Sequence, residues 1–480
     1  MLSFSEIIQA LTPSRPVMIN KSITEAVIDS RAATPNCLFV AIKGENVDGH
    51  DYLSAAFQNG AAAALIEHPV EAANQPFLAI DLRHPAANPI DFALIEATTM
   101  PVCFLVDNSV TALQQIAHFY RQKFSPRVIG VTGSVGKTTT KELIAQVLQQ
   151  KYRTQKSEGN FNNEIGLPLS LLKLQPNTEE LVLEMGFYVP GEIKLLCDIA
   201  QPHIGVFTLI GTVHAERAGS LEIIAQGKGE LAEELPAAPQ GVAILNLDDP
   251  FINKMGARTR ARVFTYGTTP QADLWAEDIK GFGLDGVQCT LCYAGESHTV
   301  QVPLPGKHSV QTILRATAVA LVEGLTWPQI IAGLQQKHEA IRLSPKKLAN
   351  GTLIIDDSYN ANPDSTVAAL DLLSELPGRR IAILGDMLEL GQYETEGHQK
   401  VGVKAAKVAT LLLTMGKRAH LIAQAARDAG MAAENVFETE NIDTLLAHTR
   451  SLIKGNEVIL IKGSAGMGMK RVVTALEKEQ

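Results

Sequence analysis

Lys137 ends the run VIGVTGSVGK, and two hydroxyls, Thr138 and Thr139, follow it directly. A glycine turn, a lysine and a hydroxyl between an apolar β-rich run and a helix-like segment are the parts of a phosphate site. Backbone N–H groups at the helix start point at the anion, and the helix dipole favours negative charge there. Lys137 can reach the β- and γ-phosphates of a nucleotide, and the Thr138 hydroxyl can hold Mg2+. The glycines are out of step with the common G-x-x-x-x-G-K-[ST] loop. Where its leading glycine belongs the chain has Val131, with Gly130 before it and Gly133 after it.

Other residues could work beside such a loop. Glu184 ends the apolar run LVLE, and in open α/β sheets ligands gather at the C-terminal ends of strands. A carboxylate there suits Mg2+, although alone it reads rather as a solvated strand end and needs company. His214 lies beyond an apolar strand expected to end at Ile210, and Lys228 falls in a later helix. Neither sits in a local motif, and single histidines and lysines are mostly packed or solvated residues. In IIDDSYNANPDS, Asp356, Asp357, Tyr359, Asn360 and Asn362 crowd between a buried strand and a helix. That density either shapes turns and caps the helix or lines a ligand site. Cys289 and Cys292 have metal-like spacing but lack a second pair, and their segment alternates as a strand does.

Positioning these groups requires an α/β framework. CLFVAIKG and AAAALIE are candidate strands near the N-terminus, and RHPAANPIDF reads as an irregular excursion. RVIGVT is the strand that feeds the glycine loop, and TTTKELIAQVLQQKY the helix that leaves it. EELVLEMG, HIGVFTLI, GVAILNLDD, CTLCYA and HTVQVPLP continue as strands, and a helix around ILRATAVALVEG closes that region. Beyond about Leu325, GTLIIDDS, RRIAILGDM, ATLLLTMG and EVILIKGS alternate with helices such as TVAALDLLSEL and AHLIAQAARDAG. That alternation predicts a doubly wound parallel sheet.

Bulk properties narrow the class. A chain of 480 residues suggests about three domains. Its 46% hydrophobic and 19% charged residues are those of a globular protein. A net charge of −9 argues against a nucleic-acid partner, and 5% aromatics against a base-stacking surface. The N-terminal MLSFSEIIQALTPSRP reads as neither signal peptide nor membrane anchor. The five scattered cysteines form no disulfide framework, so a cytoplasmic enzyme without membrane insertion is expected.

Together these segments resemble the Mur ligase family. Its loop runs G-x-x-G-[ST]-x-G-K-[ST], which Gly130, Gly133, Ser134, Gly136, Lys137 and Thr138 fit in register. The first region carries IDSRAATPNCLFVAIKGENVDGHDY, EGNFNNEIG resembles a central substrate-facing segment, and DDSYNANPDS with ILGDMLELG marks one branch. The resemblance covers essentially the whole chain and implies an α/β protein of three domains. These are a UDP-sugar-binding domain over 1–107, a central P-loop ATPase-like domain over 108–325, and a Rossmann-like doubly wound sheet over 326–480.

It implies a ligase of that branch, which uses ATP to join D-alanyl-D-alanine to UDP-N-acetylmuramoyl-tripeptide through an acyl phosphate. By the same resemblance Lys137, Glu184, His214 and Lys228 are catalytic. Thr138, Glu184, His214 and Lys228 would hold Mg2+, two ions in all, with Lys228 carbamylated. ATP would meet Gly133, Ser134, Val135, Gly136, Lys137, Thr138, Thr139, His308, Arg342, Asp357 and Tyr359. The UDP-substrate would meet Ser30, Arg31, Lys43, Asp48, His50, Asn160, Asn162 and Asn163. The dipeptide would meet Asn360, Asn362, Asp386, Met387 and Lys462, and the third domain, which binds it, would close over ATP. A monomer is the expected state. Ser309 and Thr312 stand where the family has asparagines near the adenine, and Ala465 and Lys470 where it has arginine and glutamate. Two rival readings are a ligase of the family with another acceptor and a P-loop nucleotide switch. The switch would require an Asn-Lys-x-Asp motif, which NLDDP at 246–250 is not.

Overall fold

A computed structural model of the chain describes residues 2–13, 17–70, 75–85, 89–337 and 344–478. Arg342 lies outside the described residues. The chain divides into two compact units that do not follow it linearly. The first unit comprises Met1–Val128, Gln155–Met185 and Lys194–Pro202; the second comprises Ile129–Thr154, Gly186–Ile193 and His203–Gln480.

In the first unit, short apolar runs form a parallel five-stranded sheet. Its order is Ala26–Val27, Leu38–Val40, Ala63–Ile66, Val102–Leu105 and Leu78–Asp81. Phe39, Leu53, Phe57, Ile66 and Cys103 fill its core. Burial on both faces explains the unbroken apolar runs. Helix Ser109–Arg121 starts where the Asn108 side chain accepts the Thr111 N–H. The prolines of RHPAANPIDF are followed by a short helix, Phe92–Ala97, which was not expected there. Asp91 starts it by accepting the Leu94 N–H at 2.9 Å.

In the second unit, strand Arg127–Thr132 pairs in parallel from Ile129 onward with Ile204–Phe207. Val242–Asn246 and Arg262–Gly267 continue the parallel run. Leu274–Gly281 leads into an antiparallel hairpin, Val287–Tyr293 with Glu296–Val302. Cys289 and Cys292 lie in that hairpin, both buried, and burial pushes the Cys289 thiol up to about 12. The strand before His214 stops at Phe207, short of Ile210. Beyond it the Leu209 carbonyl accepts the Ser134 N–H, and the Ile210 N–H donates to Asp249 at 3.0 Å. Both groups are taken from the ladder by loops. Helix Trp327–Gln335 packs on helix Lys137–Leu148, where Gly333 admits the Val147 backbone.

The second sheet of this unit is six-stranded and doubly wound, as expected. Its order is Ser344–Lys347, Leu353–Asp357, Glu457–Lys462, Arg379–Gly385, Leu411–Met415 and Val436–Thr439, with the first strand antiparallel. Helix Pro363–Glu375 begins with an Asn362 capping box and a proline in its first turn.

Candidate active site

The phosphate loop is fixed by backbone conformations that only glycine adopts cheaply. Gly133 has φ +139°, and a Cβ there would lie 1.8 Å from Thr208 Oγ1. Gly136, at φ +84°, precedes helix Lys137–Leu148, which no side chain caps. The first-turn N–H groups and the helix dipole are therefore aimed into the loop. Ser134 Oγ is 3.0 Å from both the N and the O of Gly211, locking the loop to the next crossover. Lys137 reaches back along the loop and donates to the Gly133 carbonyl at 2.9 Å. Behind the helix, buried Arg315 donates to Thr140 Oγ1 at 2.6 Å and to the Tyr266 hydroxyl at 2.9 Å. Tyr266 in turn donates to the Phe207 carbonyl at 2.8 Å, so helix and strand cannot slide independently. The hydroxyls of Thr208 and Thr212 are buried beside this loop without a hydrogen-bond partner. Such groups cost free energy unless a ligand or water satisfies them.

Lys228 lies in helix Leu221–Glu234, and its amine sits 4.7 Å from the Phe187 ring centre. Gly227 makes room for that ring, since a Cβ would come within 2.0 Å of it. Burial, and then the positive charge of Lys137, hold the Lys228 amine well below its ordinary range, against the pull of Glu192. His214 occupies a left-handed conformation, φ 62°, and its Nδ1 lies 2.5 Å from Glu389 Oε2. Burial lowers its pKa, while Glu389 works in the opposite direction. The Tyr188 ring packs at 4.4 Å from the imidazole.

At the end of the doubly wound sheet, Lys462 donates to Asp357 at 2.6 Å and to the Asn360 carbonyl at 2.9 Å. Lys470 pairs with Asp356, whose other oxygen accepts from Ser358 at 2.6 Å. Asn362 caps its helix, and Tyr359 is half exposed. Asp386 is buried and accepts the backbone N–H groups of Arg418 and Ala419. Met387 donates its N–H to His398 Nε2 at 3.1 Å. His308 is exposed at its edge, yet desolvation by the protein packed around the ring pushes its pKa down, and Asp357 opposes that.

In the first unit, Glu184 is buried at its strand end and accepts from Asn162 Nδ2 at 2.8 Å. Asn163 accepts the Gly166 N–H at 2.9 Å, and Asn160 is exposed. Ser30 is buried, its carbonyl accepting from Asn59, and exposed Arg31 forks onto Asp29. Lys43 and Asp48 form an isolated bridge. His50 Nδ1 meets Asp48 at 2.6 Å, and its Nε2 accepts the Glu67 N–H at 2.9 Å. With His68, these residues bring possible ligand atoms within 4.8 Å of one another. Both His50 nitrogens are engaged, so His50 clamps a loop and has no lone pair left for a cation.

Sequence reasoning passed over Thr208, Thr212 and Glu389. The two threonines follow a strand without any motif. Glu389 stood inside the quoted GDMLELG, and its polar character after a buried turn was the available signal.

A glycine loop between parallel strand and helix, joined to a doubly wound sheet, defines an α/β nucleotide-binding protein of the P-loop kind. Comparison with known proteins narrows that class. Family profiles match residues 22–121 (Mur ligase family, catalytic domain), 131–320 (Mur ligase middle domain) and 341–465 (Mur ligase, glutamate ligase domain). The UDP-N-acetylmuramoyl-tripeptide–D-alanyl-D-alanine ligase of Synechocystis sp. is 35% identical, over 97% of this chain and 94% of its own length. That of Bacillus subtilis is 37% identical, over 93% and 92%. A crystal structure of MurF from Acinetobacter baumannii aligns over 100% of this chain and 99% of that one, with TM-score 0.84 and 27% identity. MurF ligase from Thermotoga maritima in complex with ADP aligns over 96% and 99%, with TM-score 0.78 and 27% identity. The chain belongs to the Mur ligase family. ATP binding follows from that membership and agrees with the loop geometry.

Proposed function

We propose that this protein joins D-alanyl-D-alanine to the tripeptide carboxylate of UDP-N-acetylmuramoyl-tripeptide, using ATP, as the last cytoplasmic step in making a peptidoglycan precursor. One observation carries the reading: a loop shaped for phosphate, in a chain that parallels UDP-N-acetylmuramoyl-tripeptide–D-alanyl-D-alanine ligases over nearly their whole length. A carboxylate does not acylate an amine at neutral pH, so it must first gain a leaving group. The tripeptide carboxylate attacks the γ-phosphorus and ADP leaves; the dipeptide amine then attacks the acyl carbon and phosphate departs.

Lys137 and the loop N–H groups stabilise charge on the moving phosphoryl group. Ser134, Val135, Thr138 and Thr139 complete the cradle, and His308, Arg342, Asp357 and Tyr359 serve the rest of the nucleotide. Ser30, Arg31, Lys43, Asp48, His50, Asn160, Asn162 and Asn163 take the UDP-substrate. Asn360, Asn362 and Lys462 take the dipeptide, with Asp386 and Met387 shaping the turn beside it.

Thr138, Glu184, His214 and Lys228 suit Mg2+, a hard cation that takes oxygen donors and here one imidazole. Mg2+ held there would neutralise phosphate charge. Carbamylation requires the free base, because only that attacks CO2, and burial shifts the Lys228 amine in that direction; this supports a carbamylated Lys228. The cysteines are free and buried, and among the described residues no helix is long and apolar enough to cross a membrane. A cytoplasmic location and a monomeric state are part of the proposal.

The test is phosphate release from ATP with UDP-N-acetylmuramoyl-tripeptide, with and without D-alanyl-D-alanine or single amino acids. Release should depend on the dipeptide, and 18O from the tripeptide carboxylate should appear in phosphate. Equal release with a single amino acid would remove the acceptor assignment, and no 18O transfer would remove the acyl phosphate.

A further inference from the structure

His214 and Glu389 meet where two turns of the second unit interlock. The Glu216 N–H donates to the Glu389 carbonyl at 3.1 Å, and the Leu221 N–H to the Tyr393 hydroxyl at 3.3 Å. Gln392 Nε2 donates to the Gly219 carbonyl at 3.2 Å. Gly391, at φ +53°, lets the Glu216 backbone approach so closely that a Cβ would stand 3.0 Å from its Cα. At the centre, both His214 and Glu389 hold left-handed conformations, each at φ 62°. Non-glycine residues persist there only when the surroundings dictate it, and such strain gathers at functional sites.

The 389–393 turn follows a strand of the doubly wound sheet, and 214–221 follows a strand of the phosphate-loop sheet. The Glu389 carboxylate can only accept, so the atom facing it is Nδ1–H. A neutral imidazole then carries its lone pair on Nε2, the state a metal requires.

We propose that Glu389 is a positioning residue: it fixes the tautomer and angle of His214, and so makes the seating of the 389–393 turn a condition for a competent metal site. This rests on the reading of His214 as a metal-binding residue. A ligase that must not hydrolyse ATP idly gains from such a condition, because the metal site beside the phosphate loop is then complete only when the second sheet has docked.

The experiment is a titration of Mn2+ against the full chain saturated with a non-hydrolysable ATP analogue, with free Mn2+ followed by electron paramagnetic resonance. Wild type, Glu389→Gln, Glu389→Ala, His214→Ala and the double variant His214→Ala/Glu389→Ala are compared, each checked for its melting temperature. Glu389→Ala should weaken Mn2+ binding about 10- to 100-fold. Glu389→Gln, which keeps an acceptor for Nδ1–H, should weaken it less. Adding Glu389→Ala to His214→Ala should cost nothing further, because the glutamate acts through the imidazole. A folded Glu389→Ala protein that binds Mn2+ as wild type does would overturn the proposal, and so would a loss additive with that of His214→Ala. Unchanged Mn2+ binding in His214→Ala would instead overturn the reading of His214 as a ligand.

Discussion

Along residues 133–139 the geometry of the phosphate loop is set by near neighbours: two left-handed glycines, a strand before them and an uncapped helix after. At the His214 corner the decisive partner is 175 positions away, and the left-handed residues are a histidine and a glutamate. Glycine adopts its loop conformation with little strain, so the loop can hold its shape whether or not anything docks on it. The corner has no such independence. Its strain is supported by hydrogen bonds from the opposite turn and should relax if that turn leaves. A phosphate loop that is permanently formed thus stands beside a side-chain site that depends on docking.

The largest expected effect tests the permanent half. Lys137→Ala should lower kcat by about 10²–10³-fold, the cost of removing one donor from a developing oxyanion. Because the lysine is anchored on the Gly133 carbonyl and the loop is held by glycines and Ser134, the fold should survive. Circular dichroism and melting temperature against phosphate release measure this. A Lys137→Ala protein that has lost its fold would mean that the loop is not independently formed.

A smaller effect is expected at the dependent half from Gly391→Ala. It adds a side chain at φ +53° against the Glu216 backbone, at a cost of about 1–3 kcal/mol for the left-handed conformation. The cost should fall on docking, so dipeptide-dependent turnover should fall by more than binding of the ATP analogue, which the phosphate loop largely carries. Isothermal titration of the analogue against steady-state kinetics separates the two. Parallel losses in both would erase the distinction between loop and corner.

The same contrast explains what the sequence made legible. Gly130, Gly133, Gly136 and Lys137 could be read because a phosphate loop is a local backbone shape, and local shapes leave local spacing. The doubly wound sheet could be read because its strands are buried on both faces and therefore continuously apolar. Strand Arg262–Gly267 carries exposed Arg262 and Val263 at its start, and it escaped notice for that reason. His214, Lys228 and Glu389 have meaning only through partners supplied by the fold; resemblance pointed to the first two, and only a polar residue within GDMLELG hinted at the third. The compact units also mix segments from distant parts of the chain, a grouping decided by packing that no linker announces.

The smallest expected effect is a pH dependence confined to the corner. His398 is buried beneath the GDMLELG turn; its Nδ1–H donates to the Glu394 carbonyl at 2.7 Å, and its Nε2 accepts the Met387 N–H. A second proton on the ring would place two N–H groups face to face at Met387. Burial accordingly lowers the pKa from 6.5, and Arg418 acts the same way, while the Glu394 carbonyl and the Asp386 and Glu394 carboxylates resist without prevailing. For a base whose folded pKa is depressed, the unfolded chain binds the extra proton first. Stability is therefore undiminished above 6.5 and falls as pH drops from 6.5 towards the folded value. His398→Gln, which cannot take up a proton in this range, should remove that slope even if it lowers stability overall. Hydrogen exchange gives the sharper reading: below 6.5, amides of residues 386–393 should exchange faster in wild type, while those of 133–139 keep their rates. Equal acceleration in both stretches would mean that corner and loop open together, and the docking dependence argued for His214 would lose its physical basis.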